Sequence, residues 1–280
     1  MIDVKDKMTL IQSIFIDSKE KALAISDHEK LNNSLLDNDI EFISIAYEAA
    51  SMGIAINSLE QTNSLEKWFS FYQEYGEKHA AQVHVGLGWA LSELNLKPSE
   101  YIKDLEPIYK YRVIDGFGYH EGRFKRRQAV RSQQIPQDFD EMNTRAFNQG
   151  LGRSFWYTAQ GEPEKLSKLI AIFPEERHYD MWRGVGVAVA YVGGIEESIL
   201  NQLSHYSENN QNPFKCGIAL AIHTREEANT TTENTKQICK FILKKSTSEV
   251  SQILKQLEKE TPSTPDLLYF DWVNRIEQQL

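Results

Sequence analysis

The sequence predicts an all-α protein made of tandem helical hairpins of about 33 residues, forming an α-solenoid or an α/α toroid-like ring. Three observations carry this. Runs opened by glycine recur at a step of roughly 32 to 34 residues, the length of a helical hairpin: Gly53-Ile-Ala-Ile, Gly86-Leu-Gly-Trp-Ala90, Gly118-Tyr-His-Glu-Gly122, Gly150-Leu-Gly-Arg-Ser154, Gly184-Val-Gly-Val-Ala188 and Cys216-Gly217-Ile-Ala-Leu-Ala221. In five of the six a small residue follows four places on (Ala90, Gly122, Ser154, Ala188, Ala221), which puts both small residues on one helix face; in the first, Ala49 precedes Gly53 instead. Between these runs lie stripes with the i, i+3, i+4, i+7 spacing of a helix buried on one side. Glycine inside a helix costs up to about 1 kcal/mol relative to alanine, so its recurrence implies an offsetting gain. Close backbone approach between stacked helices supplies one.

Taken in order, Met8 to Asp37 shows short helical pieces broken by Ser26-Asp27 and Asn32-Asn33-Ser34, and is expected to be an irregular cap over residues 1–38. A terminal repeat needs such a cap because one of its faces has no neighbour. Ile40 to Leu59 is the first strong helix, with Asp37, Asn38 and Asp39 available as N-caps. Ser64 to Tyr75 follows, with Leu65, Trp68, Phe69 and Tyr72 in one stripe and Gly76 ending it. Comparable stripes are Tyr101, Ile102, Leu105, Ile108 and Tyr109; Leu166, Leu169, Ile170 and Phe173; Ile199, Leu200, Leu203 and Tyr206; Ile238, Phe241 and Ile242; and Val250, Ile253, Leu254 and Leu257. Pro98 and Pro163 suit first helical turns, where a missing N–H costs little.

Hairpins are therefore expected to start near residues 40, 78, 111, 141, 177 and 213. Loops are expected at Ser132 to Asp140, Ser207 to Pro213 and Glu260 to Pro265, whose polar, proline-bearing composition marks turns between hairpins. The copies run on across all but the last of these, so residues 1–280 read as one domain: the cap, a repeat region over 39–258, and a C-terminal cap over 259–280.

A chain of 280 residues, 41% hydrophobic, can bury a large core. Its formal net charge of −9 argues against non-specific binding to nucleic acid or to an anionic membrane. Cys216 and Cys239 form neither a disulfide framework nor a Cys-x-x-Cys pair, which fits a reducing compartment. No apolar run is long enough for membrane insertion, and Met1 to Lys7 carries mixed charge, so a cytoplasmic location is expected. The Gly-x-Gly pairs do not read as a dinucleotide loop, because none has the third glycine in place or a β-branched strand before it. The tetratricopeptide signature is also absent.

Asp115-Gly-Phe-Gly-Tyr-His-Glu-Gly-Arg123, Gly150-Leu-Gly-Arg-Ser-Phe-Trp156 and Trp182-Arg-Gly-Val-Gly-Val-Ala-Val-Ala-Tyr-Val-Gly-Gly194 together resemble a family of uncharacterised bacterial proteins encoded in enediyne and other polyketide gene clusters. The resemblance extends from Phe42 to Arg225 and implies a role near specialised metabolism. It brings no reaction that transfers residue by residue.

With each aligned glycine as position zero, positions −1 and +3 lie within about 40° of each other on the helix. The central copies carry charge there, Glu121 and Arg153 at +3 and Arg183 at −1, with His120, Trp156, Asp180 and Trp182 nearby. The structural reading is a Glu121–Arg153 ion pair and an i, i+3 pair from Asp180 to Arg183. The functional reading is an anion subsite, for which the planar guanidinium fork suits bidentate contacts. His120, Glu121 and Asp180 are the candidate catalytic groups. Arg153, Arg183, Trp89, Trp156 and Trp182 are the candidate ligand-binding residues. Arg123, Arg126 and Arg127, with Lys125 and Arg131, form a basic run. It reads as a solvated helix face or as a docking patch for an acidic partner such as a carrier protein.

No histidine pair with a nearby carboxylate suggests metal, and no Gly-x-Ser-x-Gly elbow is present; no cofactor is implied. Two functions remain. One is a biosynthesis-associated protein, enzyme or accessory, that holds a largely apolar metabolite between aromatic residues, with arginines fixing a polar or anionic end. The other is a non-enzymatic adaptor that binds a protein on its concave face. A closed pocket favours the first and an open groove the second.

Overall fold

The computed structural model describes residues 3–262 and 264–280. Met1 and Ile2, part of the amino-terminal segment, and Ser263, part of the loop expected at 260–265, lie outside them. The described residues form fourteen α-helices and no β-strand. In chain order these are α1 (Val4–Ala24), α2 (His28–Leu36), α3 (Ile43–Thr62), α4 (Glu66–Phe71), α5 (Ala80–Glu93), α6 (Pro107–Phe124) and α7 (Glu141–Thr158). Then follow α8 (Pro163–Ala171), α9 (Glu175–Val192), α10 (Glu197–Tyr206), α11 (Gln211–Glu227), α12 (Glu233–Leu243), α13 (Thr247–Glu260) and α14 (Leu268–Gln279). The all-α expectation holds, and the glycine-bearing helices start within a few residues of the expected places.

Six long helices, α3, α5, α6, α7, α9 and α11, pack side by side in sequence order. Short helices and turns return on their outer side, so the long helices run parallel: Gly118 faces Phe147, and four residues on Gly122 faces Leu151 and Ser154, further along the neighbouring helix in the same direction. The glycines explain the close packing. A Cβ on Gly86, Gly116, Gly150, Gly184 or Gly217 would overlap the backbone carbonyl of Glu48, Val85, Asp115, Gln149 or Arg183 on the preceding helix. A Cβ on Gly88, Gly118, Gly152 or Gly186 would overlap the carbonyl of Val113, Phe147, Met181 or Phe214 on the following one. Each Gly-x-Gly pair therefore serves both neighbours, because residues two apart lie on opposite flanks of a helix.

This pattern corrects the alignment drawn from spacing alone. Gly116, not Gly118, is equivalent to Gly150 and Gly184, since each touches the residue just before its counterpart on the preceding helix. In the first copy the equivalent is Ala49, because Glu48 takes the place of Asp115 and Gln149. Gly53 instead faces α1, meeting Ala22 and the carbonyl of Lys19.

The ring closes where α11 returns to α3. Arg225 near the end of α11 donates to the carbonyls of Tyr191, Thr230 and, at 3.2 Å, Glu41 just ahead of α3. The end of the sixth helix thus meets the beginning of the first, and the ring closes with a step along its axis. Helix α1 bridges that step, tied by Lys5 to Glu162, Lys7 to Glu41 and Lys19 to Glu93. The amino-terminal region is two helices, the 21-residue α1 and then α2, with the expected break at Ser26-Asp27; Asn32-Asn33-Ser34 make no break and lie inside α2.

At the other end α14 lies over the ring. Tyr269 meets Gln149, Glu277 meets Arg183, and the carbonyl of Asp266 accepts from the Tyr111 hydroxyl at 2.7 Å. The expected terminal cap is therefore a helix that seals the inner helices. The stripe expected at Tyr101 to Leu105 forms no helix; Pro98–Glu100 is a single 3-10 turn, and Ile108 and Tyr109 already belong to α6. Asp39 contributes its carbonyl to the turn before α3, whose N-cap, Phe42, makes no side-chain cap. Nor does the loop expected from Ser207 reach Pro213, which lies in the first turn of α11. One hydrophobic cluster runs from Val4 to Ile276.

Candidate functional site

The ring surrounds a cavity of 280 Å³ lined from α1 and all six inner helices. At close-packed density it has room for about ten to fifteen non-hydrogen atoms. Its walls are largely apolar, with Ile11 and Phe15 from α1, Ile45 from α3, Val85 and Trp89 from α5, and Val187 and Ala188 from α9. Ile16 and Phe124 also line it and are 57% and 61% exposed, so they mark its mouth, between α1 and the end of α6.

Against this apolar wall stand Glu48, Gln82, Arg112, Tyr119, Arg123, Arg153 and Tyr157. The corrected register accounts for three of them. Glu48 occupies the −1 position of its repeat, in line with Asp115, Gln149 and Arg183, while Tyr119 and Arg153 share the +3 position with Trp89.

The charged groups differ in how they are held. Arg153 forms an ion pair with the fully buried Asp115, which also accepts from Gln149 at 2.6 Å, and lies 5.3 Å from the Tyr119 ring. Burial works against the charge of Arg153, but Asp115 and then Glu48 outweigh it and raise its pKa. The Glu121–Arg153 pair expected from spacing does not form, since the true counterpart of Arg153 on α6 is Tyr119. Glu121 instead meets Ser92 at 2.8 Å and Lys125 at 2.9 Å.

Several polar side chains on the cavity, each more than nine-tenths buried, keep polar atoms with no protein partner, Tyr191 among them. Glu48 is 4% exposed and Arg112 is 7% exposed; neither has a hydrogen bond or ion pair. Gln82 Oε1 and Trp89 Nε1 are also unpartnered. Arg112 lies 5.4 Å from the Tyr269 ring and separates the cavity from a smaller hollow containing Glu227 and Glu258, with no ion pair to either. Burial raises the pKa of Glu48 to about 7, with Arg153 opposing and Asp115 reinforcing the shift. Burial likewise raises Tyr119 and Tyr157, so both phenols stay protonated.

Of the residues singled out from the sequence, Trp89, Arg153 and Arg123 come together on the cavity. Trp156 is fully buried in the core away from it. Trp182 packs edge-on against Phe214. Arg183, fully buried, is bonded to Asp180 at 2.5 Å and Glu277 at 3.0 Å, so the expected Asp180–Arg183 pair is present. Asp180 also receives Arg145 at 3.4 Å. His120 accepts or donates to Ser92 at 2.8 Å, and burial, with Lys125 and Lys19, lowers its pKa to about 3. Arg126 donates to Thr158 at 3.1 Å, while Arg127 is exposed. Glu48, Gln82, Arg112, Tyr119 and Tyr157 are the cavity residues that spacing missed. Reading the −1 and +3 lines in the corrected register would have found Glu48 and Tyr119.

Among the described residues no three histidine, cysteine, aspartate or glutamate side chains cluster as a metal site. No helix among them is long and apolar enough to cross a membrane. No curated protein and no solved structure matches the chain. The family model described as "Protein of unknown function (DUF1702)" matches residues 2–280, and the chain therefore belongs to that family.

Proposed function

We propose that the central cavity binds a largely apolar small molecule with an anionic end, its apolar body between Phe15, Val85, Trp89 and Val187 and its anion on Arg112. The observation that carries this reading is the set of buried, unpartnered polar groups on one apolar cavity: Glu48, Gln82, Arg112 and Trp89. Leaving such a group unsatisfied costs about 1 to 3 kcal/mol, and a ligand that supplies partners removes the cost. Arg112 is the anion's partner in preference to Arg153, whose charge Asp115 already balances.

A role in enediyne or other polyketide-type specialised metabolism fits this reading, since such metabolites and their precursors are apolar chains with a carboxyl or carbonyl end. The resemblance of the Gly150 and Trp182 motifs supports it. The adaptor reading has less behind it, because the inner faces of the helices line a pocket that opens at Ile16 and Phe124 instead of a long open groove.

Mass spectrometry of the protein as isolated, first under native and then under denaturing conditions, tests the proposal. The expected result is a released organic acid with wild type and none with Arg112→Met. Release of the same molecule from a folded Arg112→Met variant, or no saturable binding of any apolar acid by wild type, would overturn it.

A further inference from the structure

Glu48 is a buried carboxylate with no partner, set in an apolar cavity that two phenols and the already neutralised guanidinium of Arg153 also line. Tyr119 and Tyr157 line the same cavity, and neither hydroxyl makes a hydrogen bond within the protein. The groups whose fields bear on Glu48 come from three other helices: Asp115 and Tyr119 on α6, Arg153 and Tyr157 on α7, and Tyr191 on α9. An ordinary buried carboxylate of this fold is saturated, as Asp115 and Asp180 are. Glu48 is held open instead.

We propose that Glu48 is a catalytic base and that the cavity moves a proton on a carbon next to a carbonyl group of the bound apolar acid. The inference rests on the ligand reading and deepens it by naming the substrate class, an apolar carboxylic acid with a carbonyl further along the chain. The Glu48 carboxylate takes the proton from the carbon beside the carbonyl. The electron pair of that C–H bond becomes the new C=C bond of an enolate, and the negative charge develops on the carbonyl oxygen. The Tyr119 and Tyr157 hydroxyls donate hydrogen bonds to that oxygen. Glu48, now a carboxylic acid, returns the proton to the same carbon, or to the far end of a conjugated double bond. The first outcome exchanges hydrogen and the second shifts a double bond. The carboxylate is regenerated in both, and no second reactant is consumed.

The same low-dielectric surroundings favour both halves of the step. They make a carboxylate a stronger base, as burial does for Glu48. They also strengthen hydrogen bonds aimed at a developing oxyanion. A base whose pKa lies near the operating pH transfers protons both ways efficiently, and burial brings Glu48 to about 7.

The test uses 4-oxodecanoic acid as the probe in D2O, with binding followed by tryptophan fluorescence and deuterium at the carbons flanking the ketone followed by mass spectrometry. With wild type, exchange is expected to exceed the buffer rate by about 100-fold or more, the usual contribution of a positioned base. The rate should rise with pH through a midpoint near 7, as Glu48 loses its proton. Glu48→Gln should still take up the probe, whose anion rests on Arg112, yet exchange it at the buffer rate, while Tyr119→Phe should slow exchange of the bound probe. Wild type that binds the probe but exchanges no faster than buffer overturns the inference, as does Glu48→Gln that exchanges at the wild-type rate. Failure of wild type to bind the probe is a different result: it defeats the ligand reading, and this inference falls with it.

Discussion

Two arginines of the inner helices, Arg183 and Arg112, are both almost wholly buried and yet are treated in opposite ways. Arg183 lies under α14 with Asp180 and Glu277 on its guanidinium. Arg112 faces the cavity with an aromatic ring beside it and no carboxylate bonded to it. Burying a charge is tolerable when its partners come with it. The Arg183 nook brings its own partners and joins the terminal helix to the ring. The cavity leaves its partners to be supplied. Burial and charge alone do not separate a structural arginine from a functional one; the completeness of its hydrogen bonding does.

The largest expected effect lies on the saturated side. Arg183→Met leaves two buried carboxylates facing each other and should cost about 3 to 5 kcal/mol in denaturant unfolding. A loss under 1 kcal/mol would show that the nook is solvated and would erase the contrast with Arg112.

Next in size is the pH dependence of Glu48. Its carboxyl, ordinarily at 4.5, titrates near 7 in the folded protein, so the folded state holds a proton that the unfolded chain releases. Its contribution to stability is fully present below pH 4.5 and is lost as pH rises through about 7. Glu48→Gln should therefore be more stable than wild type by about 3 kcal/mol at pH 8, with the difference vanishing near pH 4. Other buried groups titrate in the same range, so the comparison between the two proteins is the measurement. A constant difference from pH 4 to pH 8 would mean that Glu48 is solvated or paired.

A smaller effect tests the frame that both sites share. Gly150→Ala should cost about 1 to 3 kcal/mol, because its Cβ overlaps the Asp115 carbonyl and forces α6 and α7 apart. Since α6 also carries Arg112, ligand affinity should weaken as well. Unchanged thermal unfolding would show that the helices separate freely.

The helical hairpins were legible in the sequence because glycine at helix contacts and one-sided apolar stripes leave regular marks. The site was less legible. Gly116, Gly118 and Gly122 all offer themselves for alignment, and spacing cannot choose among them; only the carbonyl each one touches does. That slip of two residues put Glu121 where Tyr119 belongs and hid the line from Glu48 through Asp115 and Gln149 to Arg183. Glu48 was further masked because its repeat has Ala49 in place of glycine. The full length of α1 was not legible because its buried face mixes Val4, Met8, Ile11 and Ala22 with the polar Lys7 and Ser18, which breaks the apolar pattern.

The smallest expected stability change accompanies the largest expected change in binding. Arg112→Met removes an unpaired buried charge and should leave stability within about 1 kcal/mol of wild type or raise it. Its binding is the most direct test of the contrast between a saturated and an open site. Wild type and Arg112→Met are titrated with decanoate and with decanol at pH 8, followed by tryptophan fluorescence. The account predicts saturable binding of decanoate by wild type, weakened at least about tenfold in Arg112→Met, as expected for loss of a charged hydrogen bond, with decanol bound equally by both. Equal affinity of the two proteins for decanoate, or preference of wild type for decanol, would contradict it.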